Sequence, residues 1–188
     1  MLLWSIAIRH PLRVLLAAVC VAIAVFVFAY FEPQLLLINK SVYEAPPTVP
    51  LAPGNADGRA PVTGSALTKA SVSERRILSI GRFRSYEHSS HGVAVVLQLV
   101  DGERFVRLEQ FATSNGPDLH VLLSTTAASG PGGSFPDRYV DLGHLKGNIG
   151  DQNYFVPSNI RLWRYASVVV WCNRFDVAFA AAPLSVGS

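Results

Sequence analysis

The sequence predicts an antiparallel β-sandwich of about eight short strands, carried behind one N-terminal transmembrane helix and a flexible linker. Three observations predict it. An uninterrupted apolar run stands near the N-terminus. A stretch rich in Pro, Gly and Ala follows. From about Arg76 onward, short apolar or alternating runs are separated by turn residues. Composition agrees with this division. Half of the 188 residues are hydrophobic, only 15% are charged, and the mean hydropathy is +0.31. Disorder of the whole chain is excluded, because disorder needs low hydrophobicity and high charge. The length allows one domain with an appendage. Two cysteines cannot build a disulfide-rich scaffold or a four-cysteine zinc site.

The excess hydrophobicity sits in residues 1–38, where Arg9, Arg13 and Glu32 are the only Arg, Lys, Asp or Glu. The apolar run covers Val14 to Phe31, and at ~1.5 Å per residue it makes ~27 Å of helix, close to a ~30 Å hydrocarbon core. It contains no charge, Pro or Gly. Arg9 and Arg13 precede it, and that bias places the N-terminus in the cytoplasm and the rest outside. Val27-Phe28-Ala29 also reads as a signal-peptidase site with cleavage after Ala29. The length of the run favours an uncleaved anchor, and both readings export the C-terminal part. Cys20 within the run reads as a small apolar side chain in the membrane.

Residues 39–75 read as a tether, since their prolines prevent a regular helix and no apolar period appears. Residues 76–188 read as the domain. Its strands are expected at Ile77–Arg84, Val93–Val100, Arg104–Phe111, Leu119–Leu123, Tyr139–Leu142, Tyr154–Val156, Ser167–Trp171 and Phe175–Ala180. Val93–Val100 is almost wholly apolar, as for a strand buried on both faces. In the last run Phe175, Val177 and Phe179 share one face. Asp101-Gly102, Asn115-Gly116-Pro117, Gly130–Gly133 and Gly147-Asn148 mark turns, the first fitting a two-residue hairpin. Such a series of short strands suggests a sandwich. Ten Arg/Lys against nine Asp/Glu in the domain, spread over its strands, argue against a nucleic-acid partner.

Familiar catalytic patterns are missing: there is no G-x-S-x-G elbow, phosphate loop or H-E-x-x-H. With no visible nucleophile–base pair, a conventional enzyme is not indicated. Cys172 draws attention instead. It would be an unpaired thiol in a compartment that usually pairs them. Three readings stand open: a buried inert side chain, a redox thiol or ligand to a prosthetic group, and a link to another chain. Imidazole and thiolate together ligate haem iron, copper or zinc, so Cys172, His88, His91 and His120 are candidate ligands. Each histidine reads equally as an ordinary loop or strand residue. His144 and the carboxylates Asp137 and Asp141 read as solvated loop groups. Trp171 beside the thiol reads as packing.

The residues His88-x-x-x-Gly92, Leu108-Glu109-x-Phe111-x-x-Ser114-Asn115-Gly116-Pro117-Asp118-Leu119, Leu142-Gly143-x-Leu145-Lys146-Gly147-Asn148-x-Gly150-x-Gln152-Asn153-Tyr154 and Trp171-Cys172-x-Arg174-Phe175 together resemble the DM-thirteen domain family. That family occurs alone or beside DOMON and b-type cytochrome domains, and the anchor-plus-linker layout resembles its bacterial members. The resemblance covers residues 76–184. It implies an all-β extracytoplasmic domain with redox work at Cys172, as a bare thiol or through a prosthetic group such as haem. Within these motifs, Gly116, Pro117 and Asp118 suit a tight turn fixed by the carboxylate. Asn148, Gln152 and Asn153 suit internal bracing of a glycine-spaced loop.

Two functions follow as expectations. One is a membrane-tethered domain that handles electrons through Cys172, with His88 and His120 as helpers, haem or a metal as cofactor, and a redox partner. The other is a non-catalytic extracytoplasmic module that binds a protein or glycan, with Cys172 merely packed.

Overall fold

The computed structural model describes residues 11–31, 38–49 and 75–185. The chain divides into two compact units, Met1–Ile38 and Asn39–Ser188. In the first, helix α1 spans Pro11–Phe31. Proline suits a first helical turn, where its missing N–H has no intrahelical partner to lose. Residues Leu12–Tyr30 are long and apolar enough to cross a membrane, with side chains exposed all round the helix.

The described residues of the second unit form a sandwich of ten strands: β1 Ser41–Tyr43, β2 Arg75–Arg82, β3 Arg84–Ser85, β4 His91–Leu99, β5 Arg104–Ala112, β6 Leu119–Ser124, β7 Tyr139–His144, β8 Ile149–Val156, β9 Ser167–Cys172 and β10 Val177–Pro183. They form two five-stranded sheets, ordered β1-β8-β5-β4-β2 and β3-β10-β9-β6-β7. All pairings are antiparallel except β1 with β8. The eight expected strands are present, and β1 and the two-residue β3 are additional. The connection from β4 to β5 runs through residues 100–103, longer than the hairpin expected at Asp101-Gly102.

Alternation of side chains builds the core. Val96, Val106, Leu108 and Tyr154 of one sheet meet Leu119, Val121, Leu123, Val168, Val170 and Cys172 of the other. The outer face of the second sheet is also sealed. There Leu122, Val169 and Trp171 are covered by a short 3-10 segment, Gly132–Asp137, whose Phe135 is fully buried. The hydroxyl of Tyr86 donates to the carbonyls of Ala128 and Gly130, and its ring meets Phe135 edge-on at 5.2 Å. β6 and β9 are therefore buried along their whole length.

β10 departs from the expected facing. Phe175 lies in the turn before it and is 43% exposed, and a bulge separates Ala178 from Ala180. The bulge adds one residue to this strand, so Phe179 and Ala180 both join the inner core.

Residues 39–45, read from sequence as the start of a tether, instead form a strap on the domain. β1 pairs in parallel along the edge of β8, with Val42 opposite Gly150. Asn148 braces it twice: its side-chain oxygen accepts from the amide of Lys40 at 2.7 Å, and its nitrogen donates to Asn39 Oδ1 at 2.9 Å. A Cβ at Gly147 would collide with the carbonyl of Lys40, and one at Gly150 with that of Val42. Gly150 also has φ +110°, which side chains rarely tolerate.

Charge completes the strap. The Glu44 carboxylate accepts from Lys146 Nζ at 2.7 Å and from the Asn153 amide at 2.7 Å. Its carbonyl accepts from Arg107, a nearly buried guanidinium that also reaches Glu109, Asp151 and Asn153. Partial burial alone would raise the Glu44 pKa. The hydrogen bonds from Lys146 and Asn153, with the charges of Lys146 and Arg107, outweigh it and hold the carboxyl below its ordinary value.

Gly150→Ala should release the strap at a cost of about 1–3 kcal/mol, seen as faster hydrogen exchange at the Glu44 amide with β6 and β9 still protected. Acid should release it too. A carboxylate with a lowered folded pKa stabilises above its ordinary value, and that stabilisation is lost as pH falls through the lowered one. The protection factor of the Glu44 amide, its exchange rate relative to the intrinsic rate at the same pH, should therefore be constant above pH 4.5 and fall below it. Glu44→Gln should remove that step; a step that survives in this variant assigns it to another group.

Candidate functional site

The end of the second sheet where β6 begins gathers four polar side chains. The turn at Pro117-Asp118 leads into β6, and His120 pairs in register with His144 of β7 on one side and Trp171 of β9 on the other. Residues paired across strands share a face. His120 therefore shares the outer face with Trp171, and its ring lies 4.0 Å from that of His144, centroid to centroid.

Carboxylates stand at both ends of the buried His120 ring. Nδ1 is 2.7 Å from Asp141 Oδ2, and Nε2 is 3.1 Å from Asp118 Oδ1. The same Asp118 oxygen is 3.5 Å from His144 Nδ1. Both aspartates are held by backbone. Asp141 Oδ1 accepts from the Gly143 amide at 2.8 Å, and the Asp118 carbonyl accepts from the Asn173 amide at 3.0 Å. Asp118, expected to fix its turn through the carboxylate, thus turns that group to two imidazoles. Asn115 makes the side-chain bond within this turn, accepting from the Gly116 amide at 2.9 Å. Gly116 and Pro117 lie in the chain leading into this turn, with Gly116 close to Phe179 and Leu119.

Asp141 and His144, read from sequence as solvated loop groups, belong to this cluster. Asp118-x-His120 was a visible signal, because residues two apart share a strand face. His144 was not, since register shifts between His120 and Leu122 and brings β7 residues three apart to β6 residues two apart.

Cys172 is elsewhere. It is fully buried and points into the inter-sheet core with Val168 and Val170, while its cross-strand partner is Leu119. His120, one residue on, faces the other side of the sheet. Cys172 and His120 therefore do not form a shared ligand set. His88 packs its ring on Phe179 at 3.9 Å, and His91 is exposed at the start of β4 in the other sheet. Trp171 packs with Leu122 and Val169 in the covered outer face.

The surroundings of the thiol do not fit haem. A prosthetic group on its sulfur needs open space, and Cys172 is fully buried in the inter-sheet core, paired across strands with Leu119. A cavity of about 700 Å³ lies at the other end of β6, lined by Thr125, Arg138, Tyr139, Arg164 and Tyr165. Two smaller ones adjoin Arg75 and Arg84, and Cys172 lines none of the three.

The glycine-spaced loop before β8 is braced as expected at Gln152. Its side-chain oxygen accepts from the amides of Lys146 and Gly147 and from the Tyr154 hydroxyl, and its nitrogen donates to the Gly147 carbonyl. Burial raises the Tyr154 pKa well above its ordinary value, so the hydroxyl remains a donor. Asn148 also reaches Thr113, but Asn148 and Asn153 mainly hold the strap.

No curated protein and no solved structure matches the chain. A family model described as electron transfer DM13 matches residues 82–184. That segment begins at the last residue of β2, takes in β3 to β10, the turn at Asp118, the braced loop and Cys172, and covers more than half of the chain, which thus belongs to the DM13 family.

Proposed function

We propose that this protein is an electron-transfer domain held at a membrane by its N-terminal helix, with the sandwich on the extracytoplasmic side and Cys172 as its redox group. The observation that carries the reading is the match of residues 82–184 to the electron-transfer family, within which Cys172 is the one cysteine. The arginines before the apolar run support the orientation. The helix Pro11–Phe31 supports the anchoring.

Burial sets terms for the chemistry. A sealed thiol cannot meet the sulfur of a protein partner directly, so exchange with one needs local opening of the sheet end. The Asn173–Asp176 turn follows Cys172, and its Asn173 amide is tied to the Asp118 carbonyl. Opening there would expose the sulfur while the sandwich stays folded. The redox partner in this reading is a protein or small oxidant outside the membrane.

A second reading, the binding module with a structural cysteine, is favoured by that same burial. It is also favoured by the outer face of the first sheet, where Ile77, Ile80 and Phe155 are each at least half exposed.

Thiol–disulfide exchange on the full-length chain in detergent separates the two. In the redox reading the Cys172 thiolate attacks glutathione disulfide, forming a mixed disulfide and releasing one glutathione thiol, and excess thiol reverses the step. Mass spectrometry should find the adduct at Cys172, and Cys172→Ala should remove it while circular dichroism is unchanged. No adduct at Cys172 while the sandwich stays folded sinks the redox assignment and leaves the binding reading. Cys172→Ser is the poorer probe, because burying its hydroxyl without a partner should cost about 1–3 kcal/mol.

A further inference from the structure

We propose that Asp118, His120 and His144 bind one divalent transition-metal ion, with Asp141 orienting His120 from its far side. One ligand atom from each of the first three lies within 4.8 Å of the others. A tetrahedral ion with bonds of ~2.0–2.2 Å holds its donors roughly 3.3–3.6 Å apart. The Asp118–His120 and Asp118–His144 separations of 3.1 Å and 3.5 Å are near that spacing. The His144 side chain is 75% exposed, so its ring can turn to close the set at little packing cost.

The donor count at His120 argues for a cation. An ionised carboxylate only accepts hydrogen bonds, and a neutral imidazole has one N–H. With Nδ1–H donated to Asp141 at 2.7 Å, Nε2 presents a lone pair toward Asp118 Oδ1 at 3.1 Å. Two acceptors then face each other, and a metal ion between them turns that repulsion into two bonds. The alternative is an imidazolium clamped between the two aspartates.

Asp141 fits the outer role. Metal-binding histidines usually donate their second ring N–H to a carboxylate, which fixes tautomer and ring plane. Asp141 does this while its other oxygen is held by the Gly143 amide. Two of the three ligand atoms come from rigid places: a buried strand position, and a turn tied by Asn173. Two imidazoles and one carboxylate suit Zn²⁺ or Cu²⁺ rather than Ca²⁺ or Mg²⁺, which prefer oxygen throughout. The exposed side toward His144 leaves a fourth position for water or a ligand. The assignment is independent of the electron-transfer reading, since it stands on the geometry of Asp118, His120 and His144 and not on Cys172.

The test uses the full-length chain in detergent, stripped by a chelator and titrated with Zn²⁺ by calorimetry. Co²⁺ absorption reports the coordination. One equivalent should bind, and Asp118→Asn and His144→Ala should each weaken it at least ten-fold. Asp141→Asn should weaken it roughly 10–100-fold and also alter the Co²⁺ spectrum, which a role in folding alone would not do. Because His144 is exposed, its variant keeps the fold and keeps the test decisive. No saturable uptake, or wild-type affinity in the His144 and Asp118 variants, overturns the proposal in favour of the clamped imidazolium.

Discussion

Everything in the second sheet depends on one constraint: successive side chains of a strand point to opposite faces. In most sandwiches the outer face is wet. Here β6 and β9 have a packed layer on both sides, because the Gly132–Asp137 segment drives Phe135 down onto Leu122, Val169 and Trp171. A polar group on either strand then has few places to go. Ser124 meets the constraint by donating to the Phe135 carbonyl at 2.7 Å, and Ser167 by donating to that of Thr126 at 2.7 Å. His120 meets it with two carboxylates. The same parity that puts His120 and Trp171 outward puts Leu119 and Cys172 inward, so the thiol and the imidazole are near neighbours along the chain fold yet belong to different environments.

That parity explains what the sequence disclosed and what it withheld. The eight expected strands were legible because each carries its own apolar pattern, and a local period needs no knowledge of partners. The facing of β10 was not, because the bulge between Ala178 and Ala180 adds a residue that no periodicity can announce. The set Cys172, His88, His91 and His120 rests on chemistry alone, and pairing of β6 with β9 puts Cys172 and His120 on opposite faces of their sheet. Asp141 and His144 escaped because their place in the cluster comes from a register shift between β6 and β7. Asp118 was visible but was read as a turn residue, a reasonable inference from Gly116-Pro117-Asp118 that the nearer Asn115 makes unnecessary.

β1 was the largest surprise, and its cause is also physical. Three residues flanked by proline-rich sequence have no period to detect, and the strap's stability resides in its partners. Lys146, Gly147, Asn148, Gly150 and Asn153 all serve it, and Arg107 reaches it from β5. The loop spacing that looked like internal economy is a socket for residues outside the matched segment. The strap also covers the edge of β8. An uncovered edge presents unpaired N–H and C=O groups that invite other chains to pair, and β1, held by the Glu44–Lys146 ion pair, leaves an edge of only three residues.

The strap gives the low charge of this domain a further meaning. Arg107 is almost wholly buried, yet it is surrounded by Glu109, Asp151, Asn153 and the Glu44 carbonyl. Desolvating a guanidinium is costly unless its donors are met, and removing one acceptor leaves the charge in place. Glu44 is therefore more than one half of a surface pair with Lys146. Its backbone supplies an acceptor to Arg107 while its carboxylate ties Lys146 and the Asn153 amide, so the strap and the outer face of the first sheet become one network. Charge is scarce in this domain, and here Glu44, Arg107, Glu109, Lys146 and Asp151 gather where residues 39–45 lie on the sandwich.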